Sequence, residues 1–167
     1  MIAIQIKDVK TFMSKLLSGN TFDSFLLEEA KIHTFNTFTI DGHQNHDFYT
    51  KEELEDSELF PYEYSEWKNI KAICFQLIKG KKVPTFMKII FHQKPEDMYN
   101  LLEEGGALEF SDTLKALVLT IRFDVNGLLL TTGTSFSTFI MDKTIDLLWD
   151  NRFRKFLSEQ EIEFEEV

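Results

Sequence analysis

An Asn-Gly pair between two long apolar segments is the feature that most restricts the fold of this chain. Asn126 and Gly127 follow Val125 and separate residues 114–123, which are rich in Leu, from residues 128–139, which are rich in Leu and Thr. Asn-Gly favours the tight turns whose backbone twist matches that of two paired antiparallel strands. The sequence therefore predicts a β-hairpin here and, with it, an antiparallel sheet.

Other segments show the alternation of apolar and polar residues that is typical of strands. We predict strands at residues 2–6, 22–40 and 86–92. The second of these has apolar residues at both parities, and we expect it to end at the turn pair Asp41-Gly42. Residues 159–167 alternate acidic and apolar side chains, and we interpret them as either a last edge strand or a frayed tail.

Helices are predicted where apolar residues recur every three or four positions. Four segments have this spacing: residues 9–17, 67–78, 95–102 and 145–156. Asp8 and Asp142 suit the N-cap position, and Pro95 suits a first helical turn. Residues 70–78 also fit a strand, so their assignment stays open. Residues 51–58 are acidic and are followed by Phe60-Pro61, which indicates a loop or a short exposed helix.

This mixture predicts an α+β fold in which helices flank one or more antiparallel sheets. A chain of 167 residues fits a single domain. A shift of 85 residues aligns residues 4–42 with residues 89–127 without a gap. Either the chain consists of two pseudo-repeated halves, about 1–80 and 81–167, or both halves converge on one common pattern. The order of elements resembles the unit of DNA polymerase sliding clamps, in topology only.

The charge of the chain restricts its partners. The formal net charge is −10, which argues against a protein that coats nucleic acid or an anionic membrane with its whole surface. A local basic patch remains compatible with this charge. Cys74 is the one cysteine, so we predict no disulfide within the chain and interpret the residue as a small core hydrophobe. The first residues lack the pattern of a signal peptide, and we expect a cytoplasmic protein.

Four segments resemble a family of uncharacterised bacterial proteins of the clostridial type, which is defined as a domain of unknown function. The segments are residues 6–17, residues 34–42, residues from 77 onward and residues 131–136. The resemblance implies a bacterial, cytoplasmic protein. It implies no reaction, ligand or functional residue.

A polar turn after the predicted strand contains four residues that could ligate a metal. Two histidines three residues apart, together with carboxylates, are suitable ligands for zinc or another divalent ion. The candidate ligands are Asp41, His43, His46 and Asp47. Polar residues in a solvated turn are the ordinary alternative.

Four lysines form the densest basic cluster of the chain. They could contact phosphates as point charges on an exposed face shared with Lys10 and Lys15. The cluster consists of Lys79, Lys81, Lys82 and Lys88. It lacks the spacing of a P-loop, and a solubilising turn beside an apolar strand explains it equally in physical terms. Residues 131–135 could also offer hydroxyl groups to an anion, although Gly133 there fits a β-bulge in an ordinary strand.

No catalytic motif accompanies the well-specified apolar core. We therefore expect a non-catalytic accessory or binding protein that contacts protein or nucleic acid through a local surface. One alternative is a small metal-dependent enzyme that uses the turn at residues 41–47. A second is a self-associating structural subunit that pairs through an apolar patch or an open edge near residues 162–167. We predict no cofactor and no membrane partner.

Overall fold

The computed structural model describes residues 1–56 and 62–167. In this part of the chain, seven antiparallel strands form one sheet in the order β3-β2-β4-β5-β6-β1-β7. The strands are β1 (Ala3–Ile6), β2 (Leu26–His33), β3 (Thr37–Asp41), β4 (Phe86–His92), β5 (Leu114–Asp124), β6 (Gly127–Phe136) and β7 (Phe164–Glu166). The helices are α1 (Val9–Leu17), α2 (Lys51–Glu55), α3 (Trp67–Ile78), α4 (Pro95–Glu104) and α5 (Thr144–Glu159). The predicted α+β class is confirmed.

The hairpin predicted from Asn-Gly is the β5–β6 pair. Asp124 pairs with Gly127, so Val125 and Asn126 form the turn between them. The Asn126 amide donates to the Asp124 side chain at 2.8 Å, and Gly127 has a φ of 106°, which strongly favours glycine. The β5–β6 ladder stays in register past Gly133, so the prediction of a β-bulge at Gly133 is wrong. A register shift occurs instead between Leu114 and Ala116.

The segment interpreted as one strand from residue 22 to residue 40 is two paired strands. β2 and β3 form a hairpin whose turn is residues 34–36, where the Thr34 amide donates to the Asn36 carbonyl at 3.0 Å. Phe22 and Phe25 precede β2 and lie buried in the core. Asp41 ends β3, as predicted, but the chain does not make its hairpin turn there.

The ambiguity at residues 70–78 is resolved in favour of a helix. Trp67 begins α3 and is fully buried, and its indole N–H donates to the Leu16 carbonyl of α1 at 2.8 Å. Cys74 lies on the same buried side of α3, and burial raises the pKa of its thiol to about 12. The thiol therefore stays protonated at neutral pH and packs as part of the core.

The sheet has one covered face and one face that stays partly exposed, which we call the open face. In β4, Met87, Ile89 and Phe91 are fully buried, whereas the alternate residues keep some exposure. The helix α5 lies on the covered face, because the Thr132 hydroxyl of β6 donates to the buried carboxylate of Asp150. Successive strand residues point to opposite faces, so this alternation decides which residues reach the open face.

The structure decides the alternatives left open for the C-terminal tail and, in part, for the acidic segment at residues 51–58. β7 pairs with β1 at the edge, so the tail is an edge strand. Within the acidic stretch, α2 ends at Glu55 and begins with a capping box between Thr50 and Glu53. The remaining acidic residues and Phe60-Pro61 fall largely within residues 57–61, which lie outside the described residues.

Strand pairing does not confirm the proposed repeat. The alignment equates β1 with β4, yet β1 lies between β6 and β7, whereas β4 lies between β2 and β5. The neighbours of the two strands therefore do not correspond, and the likeness to sliding clamps is not confirmed.

In the described residues, no helix is both long and apolar enough to cross a membrane.

Gly42 is the glycine at which a side chain is most strongly excluded. Its amide donates to the Glu28 carbonyl at 2.8 Å, and an added Cβ would lie 1.6 Å from the Leu27 carbonyl oxygen. That contact is with backbone at the β2 bulge, where the register shifts between Leu27 and Glu29. At Gly133, the nearest atom to an added Cβ would be 3.9 Å away.

We expect Gly42→Ala to lower the free energy of unfolding by at least about 2 kcal/mol, because β3 must move away from the bulge. The matched change Gly133→Ala should alter it by less than about 0.5 kcal/mol. Urea unfolding followed by circular dichroism measures both values. Equal stability of the two variants would contradict this packing of Gly42 on β2.

Candidate functional site: a tyrosine-lined cleft

A cleft of about 680 Å³ opens on the sheet where β4 ends and β5 begins. Open-face residues of the strands form its floor, α4 forms one wall, and residues 62–64 form another. Its lining consists of Leu26, Glu28, Tyr62, Glu63, Tyr64, His92, Gln93, Pro95, Met98, Tyr99, Leu102, Ser111, Leu114, Lys115, Ala116, Val118 and Ser135. The surface is mostly apolar and aromatic, with a few polar groups, which is the usual composition of a small-molecule site.

Strand pairing brings the central polar pair of the cleft together. His92 is the last residue of β4 and pairs with Leu26 of β2, and its Nε2 is hydrogen-bonded to the Glu28 carboxylate. Glu28 lies at the β2 bulge between Leu27 and Glu29. A bulge redirects the side chains of its strand. The His92 side chain is 15% exposed and that of Glu28 is 38% exposed, so the pair borders solvent within the cleft.

Tyr64 connects this pair to the histidine turn. Its ring centroid lies 5.0 Å from that of His92 and 4.4 Å from that of His43. Residues 43 and 64 also form an isolated β-bridge, which fixes the backbone beside the two rings. Burial raises the pKa of Tyr64, so its phenol stays neutral at physiological pH.

His43 is itself held by two carboxylates. Its Nδ1 lies 2.8 Å from the Asp41 Oδ1, and its Nε2 lies 3.3 Å from the Glu63 Oε1. The hydrogen bond with Asp41 is the main reason that the pKa of His43 lies above its ordinary value. The pKa of Asp41 is lowered in turn, chiefly by the backbone N–H of His43.

A third polar group connects the two walls of the cleft. Tyr62 is hydrogen-bonded to Glu96 of α4, and this bond is the main cause that raises the pKa of Tyr62 to about 12. The Lys94 ammonium lies 5.1 Å from the centre of the Tyr62 ring and 3.0 Å from Glu66 Oε2. The Tyr62 phenol therefore stays protonated at neutral pH, and the Tyr62 ring already makes a cation–π contact with Lys94.

The proposed metal ligands are brought together only in part. Asp41 and His43 are in contact, whereas His46 and Asp47 lie in a short 3₁₀ helix, His46–Phe48. Across residues 1–56 and 62–167, no group of three or more His, Cys, Asp or Glu side chains has an arrangement that could hold a metal ion. The structure therefore adds no support for a metal site on the turn.

The proposed lysine cluster is divided between the two faces of the sheet. Lys79 and Lys82 line a separate groove on the covered side, together with Lys10 of α1. Lys81 lies exposed in the same loop but does not line the groove. Lys88 follows the buried Met87 in β4 and therefore points to the open face. Its register partners on the adjacent strands are Lys31 of β2 and Arg122 of β5. Lys15 of α1 does not line the groove either.

Sequence comparison gives the chain a family but no activity. The sequence profile of a family of unknown function, DUF5721, matches residues 15–165. The chain belongs to this family. No curated protein and no solved structure matches it significantly.

The DUF5721 protein carries site residues that sequence spacing could not reveal. Glu28, Tyr64 and His92 come from β2, a connecting segment and β4, and no motif joins them. Their contact depends on the register of the β2–β4 pair, which pairs Leu26 with His92. The turn at residues 41–47 was a partial signal, because His43 does contact Tyr64 of the cleft.

The Asp41–His43 contact predicts a shifted titration. We expect the His43 imidazole to titrate above pH 6.5, because the Asp41 carboxylate favours its protonated form. In Asp41→Asn, the pKa should fall towards the ordinary value. The favourable charge interaction is present at lower pH and is lost as the pH rises through the raised pKa.

Histidine ring signals recorded by NMR between pH 5 and pH 9 measure this pKa directly. An unchanged His43 titration in Asp41→Asn would show that the contact does not persist in solution.

Proposed function

We propose that this DUF5721 protein acts by binding, and that its cleft takes a small aromatic cation. The observation that carries the proposal is that one cleft is lined both by the His92–Glu28 pair and by three tyrosines, Tyr62, Tyr64 and Tyr99. Aromatic faces supply contact area for a flat ligand. The His92–Glu28 pair supplies a polar anchor that fixes its orientation.

The size of the cleft supports a small organic ligand. Its volume of about 680 Å³ falls within the range of about 300 to 1,000 Å³ in which drug-sized ligands bind. The apolar floor includes Val118 and Leu26, and Met98 of α4 can adjust to the shape of a ligand. A macromolecular surface contact would not need such a concave shape.

The charge of the lining supports a cation. Glu28 and Glu63 line the cleft, whereas His92 and Lys115 are its basic lining residues in the described part of the chain. Lys115 is exposed, and the Nε2 of His92 is hydrogen-bonded to the Glu28 carboxylate. The faces of tyrosine rings attract cations, as the position of Lys94 over Tyr62 already illustrates. An ammonium group beside Tyr64 and Tyr99 would use the same attraction.

Binding fits the cleft better than catalysis does. A hydrolytic nucleophile needs a base within hydrogen-bonding distance. Ser111 and Ser135 are the aliphatic hydroxyls of the lining, and neither is hydrogen-bonded to His92 among the described residues. A metal-dependent reaction at the 41–47 turn lacks a convergent ligand set in this part of the chain.

The other partners considered have weaker support. A nucleic-acid surface required the four lysines to share one face, but Lys88 points away from Lys79 and Lys82. Self-association through the β7 edge would bring together short strands that carry Glu165 and Glu166, whose like charges repel. A bacterial, cytoplasmic protein stays our proposal, and it is supported by the resemblance of the four sequence segments to a bacterial family.

Three ligands that share one ring test the charge preference. We expect phenethylamine to bind with a dissociation constant of about 1 mM, as is usual for a fragment of this size. Phenethyl alcohol should bind less tightly, and phenylacetate at least about tenfold less tightly than the amine. Chemical-shift titration of ¹⁵N-labelled protein gives the affinities and shows which amides respond.

Two substitutions and a control locate the site. Tyr99→Ala and Glu28→Gln should each weaken phenethylamine binding by about fivefold or more. Tyr99 is half exposed in α4, so its loss should leave the fold intact. The control Leu147→Ala removes an exposed residue of α5 outside the cleft and should leave binding unchanged. Equal affinity for all three ligands, or shifts confined to residues outside the cleft, would contradict the proposal.

A further inference from the structure

A second groove of about 530 Å³ lies on the covered side of the sheet. Residues of α1 form one side of it, and the C-terminal end of α3 with the following loop forms the other. Met87 of β4 and Phe123 of β5 form its floor. Met87 and His92 have opposite parity in β4, so this groove and the tyrosine cleft lie on opposite faces of the sheet.

The groove leaves apolar side chains in contact with solvent. Phe75 of α3 is 38% exposed and Val83 of the loop is 77% exposed. Met13 of α1 and Ile78 of α3, both partly exposed, continue the same apolar surface. A continuous apolar surface of this kind on a soluble domain is typical of an interaction site, and methionine adapts to different partners.

The charges around the groove are all positive. Its ionisable lining residues in the described chain are Lys10, Lys79 and Lys82, although acidic residues outnumber basic ones by 28 to 18 in the sequence. None of the three forms an ion pair with a described residue, whereas other lysines, such as Lys71 with Asp23, do so. The three ammonium groups are therefore available to an acidic partner.

The positions of the lysines distinguish a helical partner from a lipid. Lys10 belongs to the α1 side, whereas Lys79 and Lys82 belong to the α3 side. A single-chain lipid carries one charged headgroup and would need the lysines at one end. An amphipathic helix with acidic residues on both flanks of an apolar stripe would place carboxylates against both sides.

We propose that this groove docks an acidic amphipathic helix of a partner protein. The apolar stripe of that helix would lie on Phe75, Val83 and Met13, and its acidic flanks would pair with Lys10 on one side and with Lys79 and Lys82 on the other. This surface is independent of the cleft and its ligand.

Synthetic helices and the full chain provide the test. One 18-residue peptide carries Leu at positions of one helical stripe and Glu on both flanks, and a second carries Lys in place of every Glu. By fluorescence anisotropy at about 50 mM salt, the Glu peptide should bind at least about tenfold more tightly than the Lys peptide. Raising the salt concentration to about 300 mM should weaken the binding of the Glu peptide, because salt screens the lysines, which remain near solvent.

Charge exchange gives the decisive comparison. Lys79→Glu combined with Lys82→Glu should reverse the order, so that the Lys peptide binds more tightly than the Glu peptide. The control combines Lys143→Glu and Lys155→Glu, which change the net charge equally at residues that are 75% and 73% exposed. This control should keep the original order of affinities. Circular dichroism checks that each variant is folded.

Five results would overturn the proposal. The Glu peptide could fail to bind the unchanged protein at millimolar concentration. The two peptides could bind equally, or the charge exchange could leave their order unchanged. Laurate could bind in place of the peptide and shift the groove amides, which would assign the groove to a single-chain lipid. Sedimentation that shows the groove buried in a homodimer would assign it to a second copy.

Discussion

The ladder between β2 and β4 is the interaction on which the other features of this DUF5721 protein depend. It joins the β2–β3 hairpin to the β4-β5-β6 strands of the sheet. On the covered face, it buries Ala30 and Ile32 against Met87 and Ile89. On the open face, it places His92 beside Glu28, which the bulge between Leu27 and Glu29 positions for the contact. Gly42 makes this bulge possible, because no side chain fits against Leu27 there.

A sheet with one covered face separates two kinds of surface. The open face carries the tyrosine cleft, in which Glu28 and Glu63 are acidic lining residues. On the covered side, the gap between α1 and α3 leaves an apolar groove with lysines on both sides. The net charge of −10 is a sum over the whole chain and does not show how charge is distributed between the cleft and the groove. In an acidic chain, a groove whose ionisable lining residues are all lysines is therefore a local feature that the net charge of the whole chain cannot reveal.

Local sequence signals predicted the elements that depend on local physics. Asn126-Gly127 predicted the hairpin because turn geometry alone selects that pair. The spacing from Trp67 to Ile78 predicted α3, and the contact with Leu16 explains why the helix outcompetes a strand there. The turn at Thr34 was missed because it contains neither Gly nor Pro and the apolar alternation continues on both sides.

The candidate site was mostly beyond prediction because its residues meet through long-range pairing. Glu28 and His92 are far apart in the sequence, and only strand register joins them. The histidine turn was recognised as polar, but its partner Tyr64 carries no motif. For the lysines, periodicity in β4 would have separated Lys88 from the loop, since Met87 and Lys88 point to opposite faces.

A double-mutant cycle on Glu28 and His92 tests the central contact of this account most directly. The free energies of unfolding of Glu28→Gln, His92→Gln and the double variant would be measured in urea at neutral pH. Because the pair borders solvent, we predict a coupling energy of about 0.5 to 1 kcal/mol between the two residues. Effects that add to within about 0.3 kcal/mol would show that the two side chains do not interact, and the anchor of the proposed cleft would be absent.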